Sequence, residues 1–387
     1  MFGLVVILVA ILIGLMGYSI MPDSTPDAND GAAQIKNQPP GFSAELLMIR
    51  KNIDVEQRSW FTTLLHGQES KYKIRPLTEY RFEGYDMYIK MFGDGERETK
   101  IPMIDVVASL YVGQSTSVKE EGNYRIEGKQ ITFANRQDEA VTMSREELIQ
   151  KIESDHIEKR TYVFGTDSSG RDMLSRLMYG TRISLSIGFL AVLISLTLGV
   201  VVGSMGGYFG GRIDDVIMWL MSVIWSIPGI MLVIAISLAL SSKGILVAFI
   251  AVGLTMWVEV ARVIRGQIKE IKEKQFVEAA RAFGFGSARI ISLHILPNLL
   301  GPLIVIATSN FAAAILLEAG LSFLGLSVQP PTPSWGIMIY EGYRSLGTPN
   351  SWHLMVFPGV AICMMVLAFN LLGNGLRDAF DPKSVNR

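Results

Sequence analysis

Cysteine occurs once, as Cys363, so no intrachain disulfide can form. The residue stands in an apolar run, which predicts a buried thiol acting as a small apolar side chain. Histidine is nearly as scarce, and of the four present His66 and His156 are too isolated in the sequence to suggest a metal site. Net charge is missing too, at -1 over 387 residues, so neither nucleic acid nor a strongly charged partner is implied. No G-x-x-x-x-G-K-[ST] segment occurs, and GGYFGG (Gly206 to Gly211) lacks the following lysine, so the chain has no phosphate cradle. Those glycines are instead expected to permit tight turns and close packing at a membrane edge. No nucleophile and base stand in a pattern that would support an enzyme.

What is present is apolar length. Hydrophobic residues make up 49% of the chain and gather in charge-free runs, while much of the 18% that is charged falls between residues 43 and 160 and in one later loop. A hydrocarbon core of about 30 Å takes roughly 20 helical residues to cross. Phe2 to Met21, Ile183 to Phe209, Val216 to Leu240, Leu299 to Leu317 and Leu354 to Leu372 meet that length without an ionisable residue. Ile245 to Val258 is shorter and makes a sixth crossing if it continues through Glu259 and Arg262 at the headgroups. Pro228, Pro302 and Pro358 lie within these runs and predict kinks. The first run is long for a signal peptide and has no A-x-A-like cleavage site, so an uncleaved anchor is expected.

Basic residues resist translocation, and the loop from Glu259 to Asn298 holds seven of them, Arg262, Arg265, Lys269, Lys272, Lys274, Arg281 and Arg289. Arg212, and Arg377, Lys383 and Arg387 in the tail, fall on the same side; the alternating connections offer only Lys243 and Arg344. Six spans then leave both termini in the cytoplasm and place the region from about Pro22 to Thr181 outside. Arg171, Arg176 and Arg182 run against this count, although long translocated loops are largely exempt from it.

The expected fold is therefore an all-α membrane protein of six transmembrane helices with a small α+β extracytoplasmic insert between the first two. Its divisions are a first helix at 1–21, a Pro- and Asp-rich linker at 22–42, the insert at 43–160 and a membrane domain at 161–387. The linker composition predicts no order of its own. Within the insert, alternation over Tyr80 to Phe92 and Asn123 to Phe133 predicts strands, the second a hairpin turning at Glu127 and Gly128. Ser144 with Glu147 predicts a capping box opening a helix that reaches about Ile157.

The basic loop contains QFVEAARAFGFGSARIISLHILPN, from Gln275 to Asn298. Phe276, Ala280 and Phe283 fall at i, i+4 and i+7, which gives a short helix one apolar stripe, with Ala279 beside it keeping the face thin. Gly284 suits a left-handed stop and Ser287 a second helix cap. The expected object is a helix-turn-helix knob projecting into water, with Glu278 placed to bond a partner.

This segment resembles the EAA signature of ABC-importer permeases: EAA, three residues, Gly, nine residues, then Ile-x-Leu-Pro. Glu278, Ala279, Ala280, Gly284, Leu296 and Pro297 keep their places, and His294 replaces the isoleucine in the HILPN wording usual in the peptide and nickel branch. FGTDSSGRDMLSRLMYGTRISLSIGFL (Phe164 to Leu190), GLSFLGLSVQPPTPSWGIMI (Gly320 to Ile339) and FNLLGNGLRDAFDP (Phe369 to Pro382) are similar to that branch as well, so the likeness spans 164 to 382. The long insert and the absence of a basic N-terminal tail depart from it.

The resemblance implies a permease subunit for di- and oligopeptides in a bacterial inner membrane. Its implied partners are a homologous second permease, two ABC ATPase subunits, an extracytoplasmic solute-binding protein and the lipid bilayer. It also implies no cofactor in this chain, with ATP and Mg held by the ATPases. Phe276, Glu278, Ala279, Ala280, Arg281 and Gly284, in a coupling loop over 261–298, would receive the ATPase stroke. Asp167, Arg171 and Asp172 form either a receptor-docking turn or an ion-pair network, and Glu318 is either structural or part of an outer gate. Glu318 and Glu259 are both expected at span ends that water reaches. Asn310, Asn370 and Asn374 either line the path or bond between helices. The competing readings are nickel or other small-solute import, a stand-alone secondary transporter, which predicts charges near the bilayer midplane, and a membrane-anchored sensor, for which the tail after Leu372 is short.

Overall fold

The computed structural model describes residues 1–380; Pro382, Lys383 and Arg387, used above for the tail, lie outside the described residues. The chain divides into two compact units. One comprises Tyr18–Arg176 with Gly342–Leu354; the other comprises Met1–Gly17, Leu177–Glu341 and the chain from Met355.

Helix α1 (Phe2–Ile20) is apolar throughout. The first unit then builds β1 (Phe42–Arg50), α2 (Trp60–His66), β2 (Tyr72–Glu83), β3 (Asp86–Met91), β4 (Glu98–Pro102), α3 (Met103–Val107), β5 (Tyr124–Glu127), β6 (Gln130–Ala134), β7 (Ala140–Ser144), α4 (Arg145–Lys151) and β8 (Ile157–Tyr162). Two antiparallel sheets result, of order β4-β3-β2-β1-β8 and β5-β6-β7. Alternation puts Leu47, Leu77, Met87 and Ile89 on one face, where they pack with Met103 and Ile104 of α3 and Leu148 of α4. Pro76 sits in a central strand, and the ladder shifts register beside it, between Leu77 and Glu79.

Residues 43–160 hold both strands and helices, and these differ in detail from the elements expected. Glu127 pairs with Gln130, so the hairpin turns at Gly128 and Lys129, one residue later than the alternation suggests. The capping box forms as expected: Ser144 Oγ accepts the Glu147 N–H at 3.2 Å, and the Ser144 N–H donates to Glu147 Oε2 at 2.7 Å. The regular helix stops at Lys151 and continues as one wide turn to His156, whose Nδ1 lies 2.6 Å from the Met48 carbonyl.

Residues 22–41 are not the unstructured linker that composition predicts. Ala28 and Ile35 are fully buried, and the Gln38 N–H donates to Thr166 Oγ1 at 2.9 Å. The Asp23 N–H reaches Ser175 Oγ at 2.9 Å, and the Asn37 N–H reaches the Asp167 carbonyl at 2.9 Å. The segment gains its order from 163–176, far away in sequence, which local composition does not encode.

Within it, burial first and the Asp23 carboxylate second push the Asp30 carboxyl up to about 6. The folded value exceeds the ordinary one, so this group's contribution to stability is present at low pH and is lost as pH rises from about 4 through 6. Asp30→Asn should therefore raise the melting temperature above about pH 7 and change it little near pH 4, as melting in detergent would show. Parallel curves for the two chains across that window would refute it.

The second unit carries α5 (Met173–Phe209), α6 (Gly211–Trp225), α7 (Gly229–Ala239), α8 (Ile245–Ile271), α9 (Gln275–Ala282), α10 (Ser287–Arg289), α11 (Leu300–Phe323) and α12 (Trp335–Arg344), and it ends in α13 (His353–Phe380). Among the described residues, five helices are long and apolar enough to cross a membrane: α1, α5, α8, the run Ser287–Phe323 and α13. Helices α6 and α7 meet the same test only when taken together, as a pair bent by 94°.

The run Val216 to Leu240, read as one span, is thus two helices. Pro228 lacks an N–H and disfavours helix at Ile227, and the chain leaves α6 at Ser226. The shorter run is the uninterrupted one: α8 continues 27 residues, through Glu259 and Arg262, to Ile271. Pro302 falls in the first turn of α11, where its missing N–H costs nothing, and Pro358 is accommodated inside α13. Cys363 corrects another expectation, since it is exposed on α13 and not part of the core.

Gly199, Gly203 and Gly207 recur every four residues along α5 and let α8 approach closely. A Cβ on Gly203 would stand 2.5 Å from the Ala261 carbonyl oxygen, and one on Gly207 would stand 2.8 Å from that of Arg265. Gly203→Ala should cost about 1–3 kcal/mol, the usual range for overpacking. It would show as a lower melting temperature of the detergent-purified chain, and an unchanged value would place the two helices further apart than this.

Candidate coupling site

The C-terminal half of α8 turns Val260, Ile264, Ile268 and Ile271 inward, and these close a core with Val277, Ala280, Ile290, Ile295 and Leu299. Lys274 caps the start of α9 with extended backbone. At the other end the Gly284 N–H donates to Arg281 O at 2.9 Å, and the Phe285 N–H donates to Ala280 O at 3.2 Å. This double bond pattern is a Schellman turn, and Gly284 supplies the left-handed residue it needs, at φ 76°. The expected glycine stop is present.

Ser287 is no cap. The capping position is Gly286, and from Ser287 the backbone runs as one turn of α-helix, a wide turn through Ile290–Ile295 and a tight turn through Leu296–Leu299 into α11. Pro297 lies in that tight turn, where its missing N–H is tolerated.

The single stripe of Phe276, Ala280 and Phe283 also needs correction, because α9 has two apolar faces. Val277 and Ala280 are 0% and 4% exposed and fasten α9 to α8. Phe276 and Phe283 are 41% and 80% exposed, and Ala279 is exposed between them at helical spacing. Glu278, Arg281 and Gly284 border that outer face and are exposed as well. Of the six residues predicted for coupling, the structure gathers five on the surface and places Ala280 beneath them.

Aromatic contacts hold the surrounding wall. Phe285 stacks on His294 at 5.7 Å, and the Arg289 guanidinium lies over the same Phe285 ring at 4.5 Å. Arg281 lies over Tyr208 at 5.3 Å, and Arg262 over Trp225 at 3.4 Å. Histidine at the isoleucine position of the signature is thus a stacking partner.

Sequence reasoning missed Asp214. Its carboxylate accepts from Arg265 Nε, from Arg265 Nη2 at 2.8 Å and from Lys269 Nζ at 2.6 Å, which joins α6 to α8 just before the loop. The available signal was the i,i+4 spacing of Arg265 and Lys269, which sets two cations on one helix face.

The candidate receptor and gate residues are interior. Asp167 is 2% exposed and Arg171 6%. Asp167 Oδ1 accepts the N–H groups of Ser169 and Arg171 at 2.8 and 2.9 Å, and Oδ2 meets Arg171 Nε at 2.6 Å and Arg176 Nε at 3.1 Å. Asp172 Oδ2 accepts from the Ser175 backbone at 2.7 Å and its hydroxyl at 2.5 Å, capping α5, while burial pushes this carboxyl up. These side chains are spent inside their own unit, an arrangement that matches the ion-pair reading of this turn. Glu318 is 1% exposed, contrary to the water-reached position expected, and accepts from Ser322 and Ser334 hydroxyls at 2.6 and 2.9 Å. It ties α11 to the residue before α12. Glu259 is exposed within α8, twelve residues before its end, Asn310 is buried, and Asn370 and Asn374 are exposed on α13.

Comparison with known proteins agrees with this geometry. Residues 184–386 match the model of the binding-protein-dependent transport system inner membrane component. The dipeptide transport system permease protein DppC of Bacillus subtilis is 43% identical over 57% of this chain and 68% of its own. OppC, the oligopeptide transport system permease protein of the same organism, is 39% identical over 60% and 75%. The di/tripeptide permease DppC of Pseudomonas aeruginosa is 40% identical over 58% and 73%. A solved chain of the MetNI methionine ABC transporter is similar over 52% of this chain and 95% of its own at 20% identity, with a TM-score of 0.43. With the multi-pass helices, the EAA helix and a family match over half its length, the chain belongs to the binding-protein-dependent transport system inner membrane components.

Proposed function

We propose that the chain is one permease of an ATP-driven importer of di- and oligopeptides, forming half of the translocation path. The observation that carries the reading is the outer face of α9, where two phenylalanines and an alanine stand exposed on a helix whose opposite side is locked into the protein. A soluble surface gains nothing from such a face, whereas a separate ATPase subunit would cover it. The names of the relatives supply the cargo class.

In this mechanism ATPase closure pushes on Phe276, Ala279 and Phe283, with Glu278 and Arg281 fixing the register. Val277 and Ala280 pass the displacement to Ile264 and Ile268, and Asp214 carries it from α8 to α6 through Arg265 and Lys269. The remaining parts follow the same reading: six crossings, both termini and the coupling loop in the cytoplasm, and Tyr18–Arg176 outside a bacterial inner membrane. A second permease, two ATPases that hold ATP and Mg, and an external binding protein complete the assembly. The chain itself carries no cofactor.

The test is peptide uptake by proteoliposomes. Uptake is expected with the complete assembly and ATP, and not with this chain alone. Passage of peptide through the chain alone, without ATP, would overturn the reading.

A further inference from the structure

We propose that α2 is an interfacial anchor, an amphipathic helix lying in the lipid headgroup layer beside the end of α1. This rests on the membrane-spanning character of α1 and not on the cargo. The sequence WFTTLLH sets Trp60, Phe61, Leu64 and Leu65 within an arc of about 140° and leaves Thr62, Thr63 and His66 opposite. No residue of the helix is buried. Trp60 is 61% exposed, Phe61 71% and Leu65 51%, and the two rings meet edge to face at 4.8 Å.

Position distinguishes this face from a stray apolar patch. Gly67, which ends α2, packs on Tyr18 in the last turn of α1, so that a Cβ there would lie 2.7 Å from the tyrosine ring and from the Ser24 carbonyl oxygen. The Gln68 N–H donates to that carbonyl at 3.0 Å. The Tyr18 hydroxyl accepts from the Asp27 N–H at 3.0 Å, which fixes the ring. Arg58 closes the other side, donating from Nη1 to the Gly67 carbonyl at 3.0 Å and to that of His66 at 3.3 Å. The helix is therefore clamped at the level where the first span ends at Ile20. That is the depth at which tryptophan and other amphipathic aromatics collect, and at which a short helix with one apolar arc lies in the membrane plane. A bilayer is the one partner whose surface that position guarantees.

The experiment uses the full chain in nanodiscs, with Cys363→Ser as background and an environment-sensitive fluorophore on Phe61→Cys, Trp60→Cys or, on the polar arc, Thr62→Cys. The labels at 60 and 61 are expected to emit further to the blue than the label at 62. They should also be quenched several-fold more by lipids bearing a nitroxide near the headgroup. Equal, water-like emission at all three positions would overturn the proposal. So would shielding at 60 and 61 that appears only when the second permease or the binding protein is added, because α2 would then be a protein-docking face. Two independent apolar-arc positions keep the result readable if one variant misfolds, which size-exclusion of each labelled chain reports.

Discussion

Phe283→Asp is expected to abolish stable association with the ATPase subunits while the chain still inserts and folds. The ring is 80% exposed and its nearest aromatic neighbour is Phe285, 6.4 Å away, so its loss removes almost no internal packing. Folding stability should change by about 0.5 kcal/mol or less, as at other exposed sites. At the centre of an interface the same aromatic would be worth roughly 2 kcal/mol or more, and a carboxylate there adds a desolvation cost, so affinity should fall at least about thirtyfold. Phe276→Asp should act in the same direction.

Ala280→Asp provides the contrast. Being 4% exposed beneath the face, it should disrupt the knob itself and lower the yield of folded protein. Gly284→Ala should be intermediate, since a Cβ meets open space but the left-handed backbone costs roughly 1–2 kcal/mol. Co-purification of tagged chain with its ATPases, beside a size-exclusion profile of the chain alone, separates these outcomes. Full ATPase recovery with Phe283→Asp would remove α9 from the coupling surface.

The second large effect is expected at Asp167→Ala, and it is structural. One carboxylate there receives two backbone N–H groups and meets two buried guanidinium groups. Breaking a buried pair of this kind costs about 3–5 kcal/mol. The loss should spread to residues 22–41, because Arg171 Nη1 donates to Asn29 Oδ1 at 3.0 Å and the Thr166 hydroxyl donates to the Ile35 carbonyl. Trypsin cleavage at Lys36 in the native chain should therefore accelerate sharply in Asp167→Ala and less in Asp167→Asn, which retains an acceptor for the two N–H groups. A stable, protease-resistant Asp167→Ala chain that failed only to engage a binding protein would assign the docking role to this turn.

How far the sequence reveals this molecule depends on whether the determining forces are local. The long apolar helices α1, α5, α8, α11 and α13, the capping box and the glycine stop at 284 rest on composition or on residues within one turn, and these are visible in the sequence. The order of 22–41 comes from hydrogen bonds to residues more than a hundred positions away, and no local signal carries it. The strands β1, β4, β7 and β8 were likewise undetected, because pairing partners and not alternation alone define them. At the knob the sequence reading merged two apolar faces into one. Helical spacing cannot say which of two adjacent stripes a neighbouring helix will cover. Burial of Asp167, Arg171 and Glu318 escaped detection for the opposite reason: charge in a sequence suggests water, and only packing shows a carboxylate enclosed by its donors.

The glycine ladder on α5 has a mechanical consequence. At Gly203 and Gly207 no side chain separates the two backbones, so α5 and α8 are expected to move as one stiff beam. A push delivered at the foot of that beam should then reach its far end nearly undiminished. Any yielding must then fall elsewhere, and the elbow at Ser226 to Pro228, where two short rods meet almost at a right angle, is the joint left to bend.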